Sequence, residues 1–213
     1  LAVRVKFNQN LVSSWFSSVM QIINNVTMLA VILAGGALVR ERERGTIDHL
    51  LTMPLNPTEV MTSKVWANSL VIVIATALSL WFVVRTLLQV PIAGSIPLFL
   101  LGTAVYLFSA TSLGILLGTV ARSMPQLGLL FMMVALPMNL LSGGNTPVGS
   151  MPPALQMLVQ IFPSTHYVNF AQAILYRGAG FDIVWRSFAI VAAIGAVFFG
   201  VALFGFRRTV AVT

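Results

Sequence analysis

Few groups in this sequence can move a proton, hold a metal or grip a phosphate, and most of those that can are crowded together. The 213 residues contain five acids, and four of them (Glu41, Glu43, Asp48 and Glu59) fall in the stretch from Arg40 to Glu59. Arg40, Arg42 and Arg44 share that stretch, which reads "RERERGTIDHLLTMPLNPTE". The spacing does not fit catalysis. His49 and His166 lack further ligands at metal-binding spacing, and no serine is matched with a base and an acid at plausible depth. Only Lys6 and Lys64 occur, and neither follows a glycine, so the phosphate-gripping G-x-x-x-x-G-K-[ST] loop is missing from these residues. The chemistry left to a mixed-charge cluster is pairing, along its own helix or with a neighbour.

The elements around the cluster explain its isolation. The chain is 58% hydrophobic and 8% charged, with a mean hydropathy of +0.94. A soluble domain carries about 25% charged residues, so lipid is the expected solvent. There are no cysteines, which rules out disulfides and thiolate metal sites within these residues. The net charge of +7 comes from basic residues placed singly or at the ends of apolar runs, which fits a membrane protein with basic cytoplasmic ends better than a nucleic-acid binder.

A bilayer-crossing helix needs about 20 mostly apolar residues. Five segments qualify, near 16–39, 65–84, 96–120, 126–141 and 187–206. The fold class is therefore an all-α membrane protein, a polytopic helical bundle with five transmembrane helices. None of these segments contains Asp or Glu, which argues against an ion-coupled carrier. Pro91, Gly94 and Pro97 mark a tight turn between the second and third spans, and "ARSMPQ" marks another between the third and fourth. "SGGNTPVGSMPP" cannot be regular helix, and "ALQMLVQIF" is too short to span, so it reads as a re-entrant or interfacial helix stopped by Pro163. Tyr167, Phe170, Tyr176, Phe181 and Trp185 then read as interface aromatics. The irregular stretch makes Ser142, Gly143, Gly144, Pro147, Met151 and Pro152 candidates for an extracytoplasmic gate. Asn24, Asn25 and Thr27 either line a pathway or bond between helices. Arg85 reads as snorkelling to the outer headgroups.

Basic-residue bias puts the charged loop inside, the N-terminus outside and the C-terminus in the cytoplasm. An outside N-terminus without a signal, in a chain that begins at Leu1, implies at least one further helix upstream. In the loop, neighbouring charges from Arg40 to Arg44 can pair on a helix, and Arg44 and Asp48 share a face, worth about 0.2–0.5 kcal/mol. Ile47, Leu50 and Leu51 form an apolar stripe, Gly45 permits a bend, and Asn56 or Thr58 caps a second piece. A bent amphipathic element at the membrane surface results, which is either an ordinary solvated anchor or a docking element.

The string itself resembles the first cytoplasmic loop of ABC-2 type permeases, whose pattern is E-R-E-x-G-T-x-E-x-L-x-x-x-P. Glu41, Arg42, Glu43, Gly45, Thr46, Leu50 and Pro54 match, with Asp48 in place of the usual Glu. The "SGG…SMP" segment, the "P-S-T" turn and the "R-G" step at Arg177 extend the resemblance over essentially the whole chain, 1–213. The resemblance implies a coupling helix within 40–64, seated on a separate ABC ATP-binding subunit. Glu41, Arg42, Glu43, Arg44, Gly45, Thr46 and Asp48 would form the interface. ATP and Mg would be used by that partner and by no site in this chain. It also implies a second permease subunit, as homodimer or heterodimer, with room for a periplasmic adaptor, in a bacterial inner membrane. Drug-like or other amphipathic compounds would be the exported class, and the segment 142–186 would be the extracytoplasmic part. A non-transporting anchor or assembly factor is the competing reading, with an ion-coupled carrier behind it.

Overall fold

The computed structural model describes residues 13–45, 56–89, 92–144 and 146–211, with side chains placed for most of them. Every regular element among them is helical. Helix α1 is Ser13–Glu43 and α2 is Pro57–Leu78, continued by a wider π-helical stretch, Ser79–Leu87. Helix α3 is Ile96–Val120, α4 is Met124–Leu140, α5 is Pro153–Val159, α6 is Pro163–Arg177 and α7 is Phe181–Ala211.

The helix starts follow from local chemistry. Helices α2 to α6 each carry Pro at the first or second position, where its missing N–H costs nothing. Asn56 is the cap of α2, and its backbone N–H donates to Glu59 Oε2 at 3.0 Å. The hydroxyls of Ser95 and Ser123 accept from the Leu98 and Gln126 N–H groups at the starts of α3 and α4.

Four helical stretches are long and apolar enough to cross a membrane: 17–43, 58–87, 96–120 and 181–206. The fourth expected span is shorter. Helix α4 has 17 residues, which at 1.5 Å per residue rises about 25 Å against a hydrocarbon core of about 30 Å. Two other expectations need correction. Pro163 does not stop a helix but opens α6, and Gly178 ends it in the left-handed conformation at φ +64°. Tyr167 and Phe170 are not interface aromatics: both are buried in the bundle, whereas Phe181 and Trp185 are exposed. Helix α5, with Leu155, Met157 and Leu158 exposed, keeps the surface character expected of an interfacial segment.

Helix α3 is the centre of the bundle, packed on α1, α2, α6 and α7. Glycines set its closest approach to α1. A Cβ at Gly114 would lie 2.5 Å from the Val31 carbonyl oxygen, and one at Gly118 would lie 2.8 Å from that of Gly35. Backbones therefore touch directly, the small-xxx-small arrangement that brings helices together in lipid. Gly195 of α7 gives the same closeness against Phe108 and Ser109 of α3. Between α1 and α3, Tyr106 donates to the Thr27 hydroxyl at 2.8 Å. Tyr106 also stacks on Tyr167 of α6 at 4.0 Å between ring centroids, and the Tyr167 hydroxyl bonds with Thr103 of α3. Helix α6 is thereby sunk into the half of the bundle away from the charged cluster. The outer faces of α2 and α7 carry Trp66, Leu70, Ile74, Ile183, Val197 and Phe204, all exposed and apolar, as lipid requires.

Replacing Gly114 by Val should destabilise the protein by about 1–3 kcal/mol through overpacking. Gly128, with open space where a Cβ would stand, should accept Ala without loss. Thermal unfolding of the two variants in the same detergent checks the contrast.

Candidate functional site

Helix α1 does not stop where its apolar run ends. Arg and Glu are good helix formers, and Arg40 and Arg42 in the last turn favour the negative end of the helix dipole. The helix therefore carries the charged run through Glu43. Gly45, at φ +69°, then turns the chain. Thr46, Asp48 and the Ile47–Leu50–Leu51 stripe lie outside the described residues, as does the Arg44–Asp48 pair.

Successive residues on an α-helix point about 100° apart, and Glu41, Arg42 and Glu43 fan out accordingly, each to a different helix. Glu41 forms an ion pair with Lys64 of α2, both side chains partly buried. The Arg42 guanidinium donates from Nη1 to the Ala121 carbonyl at 2.7 Å, and from both nitrogens to the Thr119 carbonyl at 3.4 Å. These carbonyls belong to the end of α3, where a helix leaves acceptors without intrahelical donors. Glu43 accepts the Met124 N–H at 2.9 Å, one of the orphan donors at the start of α4. A cation thus meets a helix C-terminus and an anion meets a helix N-terminus, both in the favourable sense of the dipole. The sequence suggests pairing between neighbours along the run; in the structure Glu41, Arg42 and Glu43 each reach across to another helix. Arg40, Arg44 and Gly45 are exposed, with the Arg40 guanidinium folded back towards Gly36 and Met124.

The polar trio of α1 separates. Thr27 is buried in the Tyr106 hydrogen bond and donates to the Ile23 carbonyl at 3.2 Å, so its role is packing. The Asn24 carbonyl accepts from Asn139 of α4 at 3.4 Å. Asn25 is exposed, bonded to Gln21, and lines a groove of about 180 Å³ between α1 and α2 with Ile22, Leu29, Ile72, Thr76 and Ser79.

The proposed gate segment lies at the end opposite the charges. Ser142 is buried and donates to the Asn139 carbonyl at 2.6 Å. Gly143 takes φ +93°, and the side chain of Met20 fills the space beside Gly144. Met151 is buried, and its carbonyl accepts from Gln156 at 2.8 Å, while Pro147 and Pro152 are exposed. The Ser164 hydroxyl, on α6, donates to the Met138 carbonyl at 2.8 Å. The segment is thus fastened to α1 and α4, and α6 is fastened to α4. Arg85 is exposed at the same end, its guanidinium 4.9 Å from the centre of the Trp81 ring, as befits a side chain reaching for headgroups.

The sequence reading missed α6 and its buried Tyr167. Signals for both were present: Pro163 at the first helical position, Gly178 just past the end, and apolar residues at 167, 170, 171 and 174 between them.

Residues 4–176 match the family described as ABC-2 type transporter. The chain belongs to that family. Within this ABC-2 chain, 210 residues are 56% identical to "Inner membrane transport permease YhhJ" of Escherichia coli K12, covering 99% of the chain and 56% of the relative. "Probable multidrug ABC transporter permease YbhR" of the same strain is 32% identical over 214 residues, covering 99% and 57%. "ABC transporter G family member 20" of Dictyostelium discoideum is 25% identical over 164 residues, covering 76% and 22%. The chain thus spans little more than half the length of the bacterial relatives it matches. It is a multi-pass membrane domain of ABC-2 type.

Changing Arg42 to Ala removes the charged donor from two helix-end carbonyls and should cost about 1.5 kcal/mol, the lower end for a charged hydrogen bond because the side chain is partly solvated. Tyr106→Phe should cost less, about 0.6 kcal/mol, the average for a hydrogen bond between membrane helices. The order of the two melting temperatures is the check.

Proposed function

We propose that this chain is the membrane-spanning part of an ATP-driven export permease whose ATPase is a separate subunit. The observation that carries the reading is the end of α1. A bilayer-length helix continues into a mixed-charge turn and then, through Gly45, into the segment whose sequence resembles the first cytoplasmic loop of ABC-2 permeases. An element passes a shift between two bodies only if it contacts both differently in two states. Segment 40–64 is our candidate for that element, with Arg44 and Gly45, and Thr46 and Asp48 next in the sequence, as the surface offered to the ATP-binding subunit. ATP and Mg bind in that partner.

Several observations support the remaining parts. Arg40, Arg42, Arg44, Lys64 and Arg122 gather at one end of the bundle, and Arg85, Arg177 and Arg186 stand at the other. That bias supports a cytoplasmic charged end, an outside N-terminal side and a cytoplasmic C-terminus. Relatives from E. coli, one of them named an inner membrane permease, support the bacterial inner membrane. Gln21 and Asn25 on an exposed face of α1 are costly against lipid, so that face meets a second permease subunit or the transport pathway. Asn25 beside Leu29 and Ile72 gives the groove a mixed polar and apolar lining. An amphipathic, drug-like cargo suits that lining, and a relative is named a probable multidrug permease. The fastened segment at 142–152 closes the far end.

The test uses the full-length permease expressed with its candidate P-loop ATPase. The ATPase should co-purify with the permease, and changing Arg44, Thr46 and Asp48 together to Ala should release it from a permease that still folds. Undiminished association of that variant, or flux that follows a proton gradient and ignores ATP, would remove the coupling reading.

A further inference from the structure

The geometry points to an internal task for the three consecutive residues Glu41, Arg42 and Glu43: they are positioning residues that divide one displacement of the coupling segment among three separate helices. This rests on the ATP-driven reading above and assigns the residues a role within this chain in place of a contact with the ATPase.

The argument is geometric. A turn of helix can present three adjacent side chains to three neighbours only if those neighbours surround it, and here they do. Glu41 grips Lys64, two turns into α2. Arg42 holds the last carbonyls of α3. Glu43 holds the first N–H of α4. Each attachment lies at or near a helix end, so it transmits a push along the helix axis and not a slide across its face. All three bonds involve an ionised group, which makes them stronger than neutral pairs. Apolar contacts further back along α1 join the same helices: Leu38 packs with Met61, Val65 and Ile115 of α2 and α3, and Gly35 and Gly36 lie against Leu127 and Met124 of α4. The bracket adds an ionised attachment to each of the three helices at the turn nearest Gly45, where the displacement enters.

The experiment takes the full-length permease with its ATP-binding subunit in lipid nanodiscs. The 213 residues hold no cysteine, so labels can be placed at Ser63→Cys on α2, Val120→Cys on α3 and Leu129→Cys on α4. Two spin-label distances, 63–120 and 120–129, are read without nucleotide and with a trapped ATP analogue. In the otherwise unsubstituted complex both should change. Glu41→Lys and Lys64→Glu should each abolish the change in the 63–120 distance, keep that in 120–129, and leave ATPase association intact. The double exchange Glu41→Lys with Lys64→Glu should restore the lost change, because the pair is internal. Glu43→Ala should do the converse, losing the 120–129 response alone. If Glu41→Lys prevents folding, Glu41→Ala and the independent Glu43→Ala arm decide the matter.

Release of the ATPase by Glu41→Lys or Glu43→Ala would make these residues partner contacts and overturn the assignment. So would unaltered distance changes in the single variants, or failure of the double exchange to restore. A complex without these substitutions that shows no nucleotide-dependent change in either distance would defeat the ATP-driven reading itself, which separates the two failures.

Discussion

The direct backbone contact between α1 and α3 is the constraint on which the rest of the structure depends. Gly35 on one side and Gly114 and Gly118 on the other leave no room for a Cβ. The two helices run in the same direction and stay in contact from Thr27 with Tyr106 to Arg42 with Ala121. Arg42 stands two turns beyond Gly35, about 10.5 Å along the axis. A helix held any further from α3 would leave its guanidinium short of the Thr119 and Ala121 carbonyls. The small residues of the apolar run therefore decide where the charged residues can reach, and the polar arrangement at the helix end follows from a packing decision made in the membrane interior.

That coupling shows what could be read from the sequence and what could not. The apolar runs located four long helices, 96–120 at both ends, because lipid leaves little choice over any backbone that crosses it, but α2 and α7 begin eight and six residues earlier than the apolar runs at 65 and 187. Asn56 as a cap and Gly45 as a bend were equally legible, since both are local chemistry. The destinations of Glu41, Arg42 and Glu43 were not. An alternating charge run satisfies itself on paper along its own helix, and only the third dimension shows Lys64, Ala121 and Met124 within reach. Tyr167 was misplaced for a related reason. An aromatic residue near a predicted interface reads as a headgroup anchor until its partner, Tyr106, is seen 4.0 Å away on another helix. Thr27 could be read as pathway or packing from its type alone, and the hydroxyl of Tyr106 settles it as packing.

The two ends of the bundle are built differently, in a way that suits a moving device. At the far end, residues 142–152 and α6 are held by neutral hydrogen bonds to backbone carbonyls and by stacked rings, with Ser142, Ser164 and Tyr167 buried. At the other end the fastenings are ionised, partly solvated and gathered on one turn of α1. Neutral buried bonds hold one geometry because an unpaired polar group in lipid is expensive. The ionised bonds at the other end are open to water, so salt screens them.

The central claim is that the turn after α1 touches an ATP-binding subunit and that ATP changes the contact. Its most direct measurement is site-specific photocrosslinking from Arg44, replaced by a photoreactive amino acid in the full-length permease expressed with its candidate ATPase. The account predicts a crosslink to the ATPase whose yield or position changes when a nucleotide analogue is trapped. A folded, membrane-inserted permease that gives no crosslink to the ATPase in either state would contradict it.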